Sequence, residues 1–211
     1  MHLFLDTNVM VGYIFETDNW NSKSIQVIQH SAKKYSCDYA LNECGHKYNS
    51  KLRRINNEFR HVHRQLIQAK SYKDIETYVQ NGNLKTKNVL IKFLNAHKHD
   101  SLKNTAAELL NFKIAIEKRC HSNYNYIAET VYFHTSSKPH QDVANKLQVH
   151  GFLDEDTDDF EIIIDAHDLG LTISNLLFIS GDYTHIVSKK SFILSVTSIK
   201  DIIGLGEFNY T

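Results

Sequence analysis

Apolar positions along this chain keep two rhythms. Residues 2–5, HLFL, form a short apolar run that ends on Asp6, and a second strand is expected over Tyr35–Leu41, with an amphipathic helix over Ser22–Lys33 between them. The alternation returns near the other end. Asp159–Gly170 has helical spacing, Leu176–Ser180 (LLFIS) reads as a strand and Ser191–Thr197 as another. Short apolar strands separated by helices are the pattern of a parallel sheet covered on both faces. From about His46 to Val149 the rhythm changes to a helical one: Leu52, Ile55, Phe59, Val62 and Leu66 lie three or four residues apart. The expectation is one α/β domain over residues 1–211, a three-layer α/β/α sandwich with a central, mostly parallel sheet and a long helical insertion at about 46–150. The chain has a single proline, Pro139, and no repeat, low-complexity tract or Gly/Ser linker that would mark off a second domain.

Composition narrows the class. The 211 residues are 42% hydrophobic and 23% charged, which suits a soluble globular chain burying roughly 70% of its unfolded surface. Lys plus Arg and Asp plus Glu are equal at 24 each, so overall charge names no polyanionic partner. Its distribution is more informative. From Lys47 to Lys73 there are eight basic residues (Lys47, Lys51, Arg53, Arg54, Arg60, Arg64, Lys70 and Lys73) and one acid, Glu58, whereas Asp154–Asp168 holds eight acids and no Lys or Arg. A basic helix starting just after Glu43 suits a phosphate backbone, with Lys47, Lys51, Arg53 and Arg54 as the candidate contacts; it equally suits a solubilising surface. Three cysteines without CxxC spacing indicate neither a disulfide framework nor a zinc knuckle, and point to a reducing compartment. No basic segment precedes the first apolar run, and no run approaches the ~18 apolar residues of a membrane span. The expectation is a cytoplasmic protein without a membrane partner.

In open parallel sheets, ligands sit at the carboxyl ends of the strands. Asp6 occupies such an end, with Asn8 two residues on. Glu43, in YALNECGH, follows the second expected strand, and Asp182, in SGDYTHI, follows LLFIS. Asp159, in TDDFEIIIDAHDLGL, falls in the first turn of the helix beside the same edge. Taken singly, each has a structural reading. Asp6 or Asn8 would cap the next helix, Glu43 and Asp159 would favour a helix N-terminus, Asp158 with Glu161 fits a capping box, and Asp182 suits a turn after Gly181. Four carboxylates gathered at one edge is not what capping predicts, because like charges repel unless a cation neutralises them. Mg²⁺ takes oxygen ligands at about 2.0–2.1 Å, and such an ion suits phosphodiester hydrolysis by activating water and stabilising the attacking and leaving oxygens. Glu161, Asp165 and Asp168 read as solvated surface acids. The 13 histidines look scattered, and Tyr124, Tyr126, Tyr132 and Phe133 are expected to fill the helical core rather than stack on bases.

Together, LFLDTNV, ALNE, DDFEIIIDAHDLGL and LLFISGD resemble the PIN-domain nucleases, over residues 1–44 and about 157–203, leaving the helical middle unmatched. The resemblance implies a three-layer fold and a Mg²⁺- or Mn²⁺-dependent nuclease, chiefly an endoribonuclease leaving 5′-phosphate and 3′-hydroxyl ends. It implies that Asp6, Glu43, Asp159 and Asp182 form the catalytic and metal-holding set, with Asn8 and Ser180 holding carboxylates and waters in place. The implied partners are an RNA substrate, a second copy of the chain, and a protein inhibitor or antitoxin; the long insertion argues against a compact toxin. Three other readings stay open. A phosphatase of haloacid-dehalogenase type would need an acid where Asn8 stands. A PIN-like scaffold would bind RNA or protein without cutting. A structure-selective DNA nuclease is not separated from an RNA enzyme by anything in the residues.

Overall fold

A computed structural model describes residues 1–136, 138–149 and 157–209. In chain order the elements are β1 (His2–Leu5), α1 (Thr7–Ile14), α2 (Asn21–Gln29), β2 (Lys33–Ser36), α3 (Asp38–Gln68), α4 (Tyr72–Asn81), α5 (Lys87–Ala96), α6 (Leu102–Thr130), β3 (Tyr132–Phe133), α7 (Gln141–Val149), α8 (Thr157–Thr172), β4 (Leu176–Ser180), α9 (Lys190–Val196) and β5 (Asp201–Gly204). Two compact units result: residues 1–47 with 123–211, and residues 48–122. Among the described residues, no helix is long and apolar enough to cross a membrane.

The first unit is α/β. Its strands, among the described residues, form one five-stranded, all-parallel sheet in the order β3-β2-β1-β4-β5. β1 sits at its centre because Leu3, Phe4 and Leu5 are wholly buried, as central parallel strands require. β4 pairs with it so that Phe4 is opposite Phe178, and the two rings stack at 5.6 Å. From β1 the chain turns to β2 on one side, and it later returns to β4 on the other. The carboxyl ends of β1 and β4 thus flank the sheet's switch point, where ligands collect in folds of this type.

The second unit is helical among its described residues. The stripe expected along α3 is present, with Ile55, Phe59, Val62 and Leu66 all buried. α4 opens with a capping box in which Ser71 and Asp74 satisfy each other's backbone N–H. Glu58 accepts hydrogen bonds from the backbone of Lys85 and Thr86 and from the Thr86 hydroxyl, the last at 2.6 Å.

Several expected elements need correction. The strand read at Tyr35–Leu41 is instead β2 over Lys33–Ser36, followed by α3 from Asp38. Cys37, Ala40 and Cys44 are buried at helical spacing, and the Leu41 N–H donates to the Cys37 carbonyl, so this apolar stretch is helical. Of the strand read at Ser191–Thr197, all but Thr197 lies in α9, where Ile193 alone is buried, and the last strand is β5, expected nowhere. Within the stretch read as a helical insertion, Tyr132 and Phe133 form the edge strand β3. Of the tyrosines expected in a helical core, Tyr126 and Tyr132 are exposed at 43% and 62%.

Close packing of α1 on α2 rests on Gly12. A Cβ there would lie 2.3 Å from Ser24 Oγ, 3.2 Å from Ser24 Cβ and 3.2 Å from Trp20 Cβ. Ala is the better helix former by about 1 kcal/mol, yet overpacking at a filled contact typically costs about 1–3 kcal/mol. Gly12→Ala is therefore expected to destabilise the chain by on the order of 1 kcal/mol or more, read as a lower urea midpoint with an unchanged m-value. A gain in stability would mean that the α1–α2 contact is looser than described.

Candidate active site

Asp6 is the first residue after β1 and the residue before α1, the usual place for a cap. Its side chain caps nothing. Instead, Oδ2 accepts hydrogen bonds from the Ser180 hydroxyl at 2.6 Å and the Asn8 amide at 3.2 Å, while Oδ1 is buried without a hydrogen-bond partner. The residue is 1% exposed. Register explains the first bond: β4 runs one residue past β1, and the Asp6 N–H pairs with the Ile179 carbonyl, bringing Ser180 alongside.

Ser180 ties a second acid to the first. Its oxygen also accepts the Asp182 N–H at 2.9 Å, so one hydroxyl sets the start of the turn that presents Asp182. Asp182 Oδ1 then accepts the N–H groups of Thr184 and His185, at 2.9 and 2.7 Å, which closes the turn. A carboxylate oxygen of Asp182, one of Asp159 and an imidazole nitrogen of His185 all lie within 4.8 Å of one another. Asp159 sits half-buried in the first turn of α8. Because α8 starts at Thr157, Asp158 lies inside that turn rather than capping it.

Glu43 arrives from a different direction than expected. It projects from the second turn of α3, not from a strand end. The wholly buried Thr7 donates its hydroxyl to Glu43 Oε2 at 2.5 Å, and Lys47 Nζ meets Oε1 at 2.5 Å. Burial pulls the Lys47 ammonium down, but the Glu43 hydrogen bond and charge, with the charges of Asp6 and Asp159, overrule it and hold its pKa above the ordinary lysine value. Lys47, read from the sequence as a phosphate contact, is thus engaged by a site carboxylate. Lys51, Arg53 and Arg54 belong to the second unit, where Arg53 and Arg54 are exposed.

The first unit therefore links Asp6, Glu43, Asp159 and Asp182, with Asn8 and Ser180 on the first and Lys47 on the second. Comparison with protein-family models, curated proteins and solved structures returns no match to this chain. The site must be judged on its own geometry. A buried carboxylate oxygen without a partner leaves a desolvation cost of about 1–3 kcal/mol or more, and a cation relieves it. Oxygen donors with one imidazole form a set that divalent ions accept.

Sequence reasoning missed two members. Thr7 stands between Asp6 and Asn8 in LDTN, and its signal was a polar residue at an otherwise buried start of helix. His185 was visible only as a residue three beyond Asp182. Further along α8, two acids read as solvated are not. Asp165 is 3% exposed, taking the Ser136 N–H at 2.7 Å, and burial raises its pKa despite that bond. Asp168 pairs with His134 at 2.8 Å and His140 at 2.5 Å; burial opposes its ionisation, but the two imidazoles win and lower its pKa.

Burial lifts the Asp6 carboxyl from 3.8 to about 6; the Ser180 bond opposes this, the Glu43 charge adds to it, and Asn8 and Lys47 draw it back. The folded chain holds this proton more tightly than the unfolded one. Asp6 thus contributes stability below its unfolded pKa of 3.8 that is lost as pH rises through about 6. The whole loss is on the order of 3 kcal/mol. In EDTA, Asp6→Asn is expected to be more stable than the parent at pH 7.5, with the advantage smaller at pH 5 by on the order of 1 kcal/mol. Urea unfolding at both pH values measures it; a variant equally destabilised at both would refute the buried-charge account.

Proposed function

We propose that this protein is a divalent-metal-dependent nuclease of PIN type, an endoribonuclease whose site is built on Asp6, Glu43, Asp159 and Asp182. One observation carries the reading: Asp6 Oδ1, buried and without a hydrogen-bond partner at the switch point of a parallel sheet, is tied through its surroundings to three further carboxylates. Capping accounts for none of this at Asp6, whose side chain makes no capping bond.

In this reading the four carboxylates hold Mg²⁺ or Mn²⁺, and Asn8 and Ser180 fix the Asp6 carboxylate so that Oδ1 stays available. Thr7 and Lys47 hold the Glu43 carboxylate, one at each oxygen. A bound ion of this kind lowers the pKa of the attacking water and neutralises charge at the phosphate. Lys47 supplies a positive charge among the carboxylates, where a phosphodiester must approach an otherwise anionic edge. An all-parallel five-stranded sheet suits the three-layer fold that the resemblance implies. The products are 5′-phosphate and 3′-hydroxyl ends.

The test is cleavage of a panel of labelled single-stranded RNA, structured RNA and single-stranded DNA with Mn²⁺, Mg²⁺ or EDTA. Metal-dependent cutting of RNA that disappears in Asp6→Asn is the expected result, and cutting of DNA alone would turn the reading to a DNA nuclease. Ser180→Ala is expected to lower activity or metal affinity by about 10- to 100-fold. No cutting of any substrate by a folded parent protein would leave a scaffold. His185 adds a sharper expectation, because imidazole favours transition ions over Mg²⁺. Calorimetric titration of His185→Ala should show weaker Mn²⁺ binding with little change for Mg²⁺; equal losses for both ions would remove His185 from the ligand set.

A further inference from the structure

The turn that carries Asp182 also presents an aromatic ring. Tyr183 is 38% exposed, and its ring stacks on that of the half-buried Trp20 at 5.8 Å with 17° between planes. Backbone contacts position the pair. The Gly206 N–H donates to the Tyr183 hydroxyl at 2.9 Å, and the hydroxyl end of the ring packs against Gly204, where a Cβ would come within 2.5 Å of that hydroxyl and 2.8 Å of Cζ. Trp20 is wedged beside the site itself: a Cβ on Gly181, between Ser180 and Asp182, would lie 3.3 Å from the indole nitrogen and 3.1 Å from Asn8 Cβ. Glycines at 181, 204 and 206 thus clear the space that the two rings occupy.

An aromatic ring left partly in water, with its hydroxyl tied down and its position fixed by glycine, loses little entropy when a flat partner lands on it. From this arrangement we infer that Tyr183, backed by Trp20, is a stacking platform for a nucleobase next to the phosphate held at the four acids. The ligand is a base of a single-stranded nucleic acid, since bases inside a duplex are already stacked and cannot lie on the ring. This inference rests on the nuclease reading above, and it adds a preference for unpaired substrate that the acids alone do not supply.

The test compares a fluorescein-labelled decauridylate with a ribose-phosphate decamer of the same length lacking bases. Anisotropy titrations use Ca²⁺ in place of Mn²⁺, with the oligomers recovered intact. The parent protein should bind the base-bearing oligomer about tenfold more tightly than the abasic one, and the binding should quench the fluorescence of Trp20, the chain's single tryptophan. Tyr183→Ala should lose that preference while keeping its affinity for the abasic oligomer, and Tyr183→Phe should keep most of it. Equal binding of both oligomers by the parent protein, or a preference that survives in Tyr183→Ala, would overturn the platform and leave the nuclease reading standing. Binding of neither oligomer would overturn both.

Discussion

A carboxylate buried at the end of the central strand organises this unit. Asp6 gives up the capping bond that its position offers, a contribution worth about 1 kcal/mol in an ordinary helix, and turns its side chain toward Ser180 and Asn8. That arrangement needs β4 beside β1 in the observed register, because Ser180 reaches Asp6 only from there. The same hydroxyl then orients Asp182 through its backbone. Strand pairing, which is held by apolar contacts such as Phe4 on Phe178, is converted in this way into the placement of two charged groups.

Charge balance follows from the same crowding. Asp6 is raised to about 6, first by burial, with Glu43 adding to it. Lys47 answers Glu43, and its own pKa rises because of the Glu43 hydrogen bond and charge, with the charges of Asp6 and Asp159 adding to them. The Lys47 ammonium answers Glu43, Asp6 and Asp159, while the buried Oδ1 of Asp6 has no hydrogen-bond partner. Like-charged groups in one low-dielectric place are stable only when something positive sits among them. Lys47 meets that demand in part.

The elements legible in the sequence are those whose apolar runs are buried for their own sake. β1, β4 and the α3 stripe were read within a residue or so, because Leu3–Leu5, the LLFIS run and Ile55, Phe59, Val62 and Leu66 carry one rhythm each. β2 is Lys33–Ser36, two lysines ahead of a tyrosine, and nothing in it announces a strand; its neighbour β3 is two residues long, too short for any period. Glu43 projects from a helix rather than from a strand end, since YSCDYAL reads as a strand run until Cys37, Ala40 and Cys44 are seen buried at helical spacing. The histidines looked scattered because the groups that gather them are distant: His134 and His140 meet Asp168 from 34 and 28 residues away.

α8 shows why two of its acids misled. Ile162 through His167 are six consecutive buried residues, so the helix has no solvent face there from which a period could be read. Asp165 and Asp168 occupy positions that a one-sided helix would expose, and the segment after β3 covers them. Ser136 bonds to Asp165, His134 and His140 bond to Asp168, and the His167 ring meets that of His140 at 4.8 Å while taking the Ser198 N–H. These polar contacts lie on the order of 10 Å along the helix from its first turn, at about 1.5 Å per residue. A helix is stiff over that length, so fixing its middle fixes its start. The contacts that seemed to belong to a solvated surface therefore help to set the start of α8, where Asp159 lies beside Asp182, through a partly buried histidine–aspartate cluster that contains none of the four site acids.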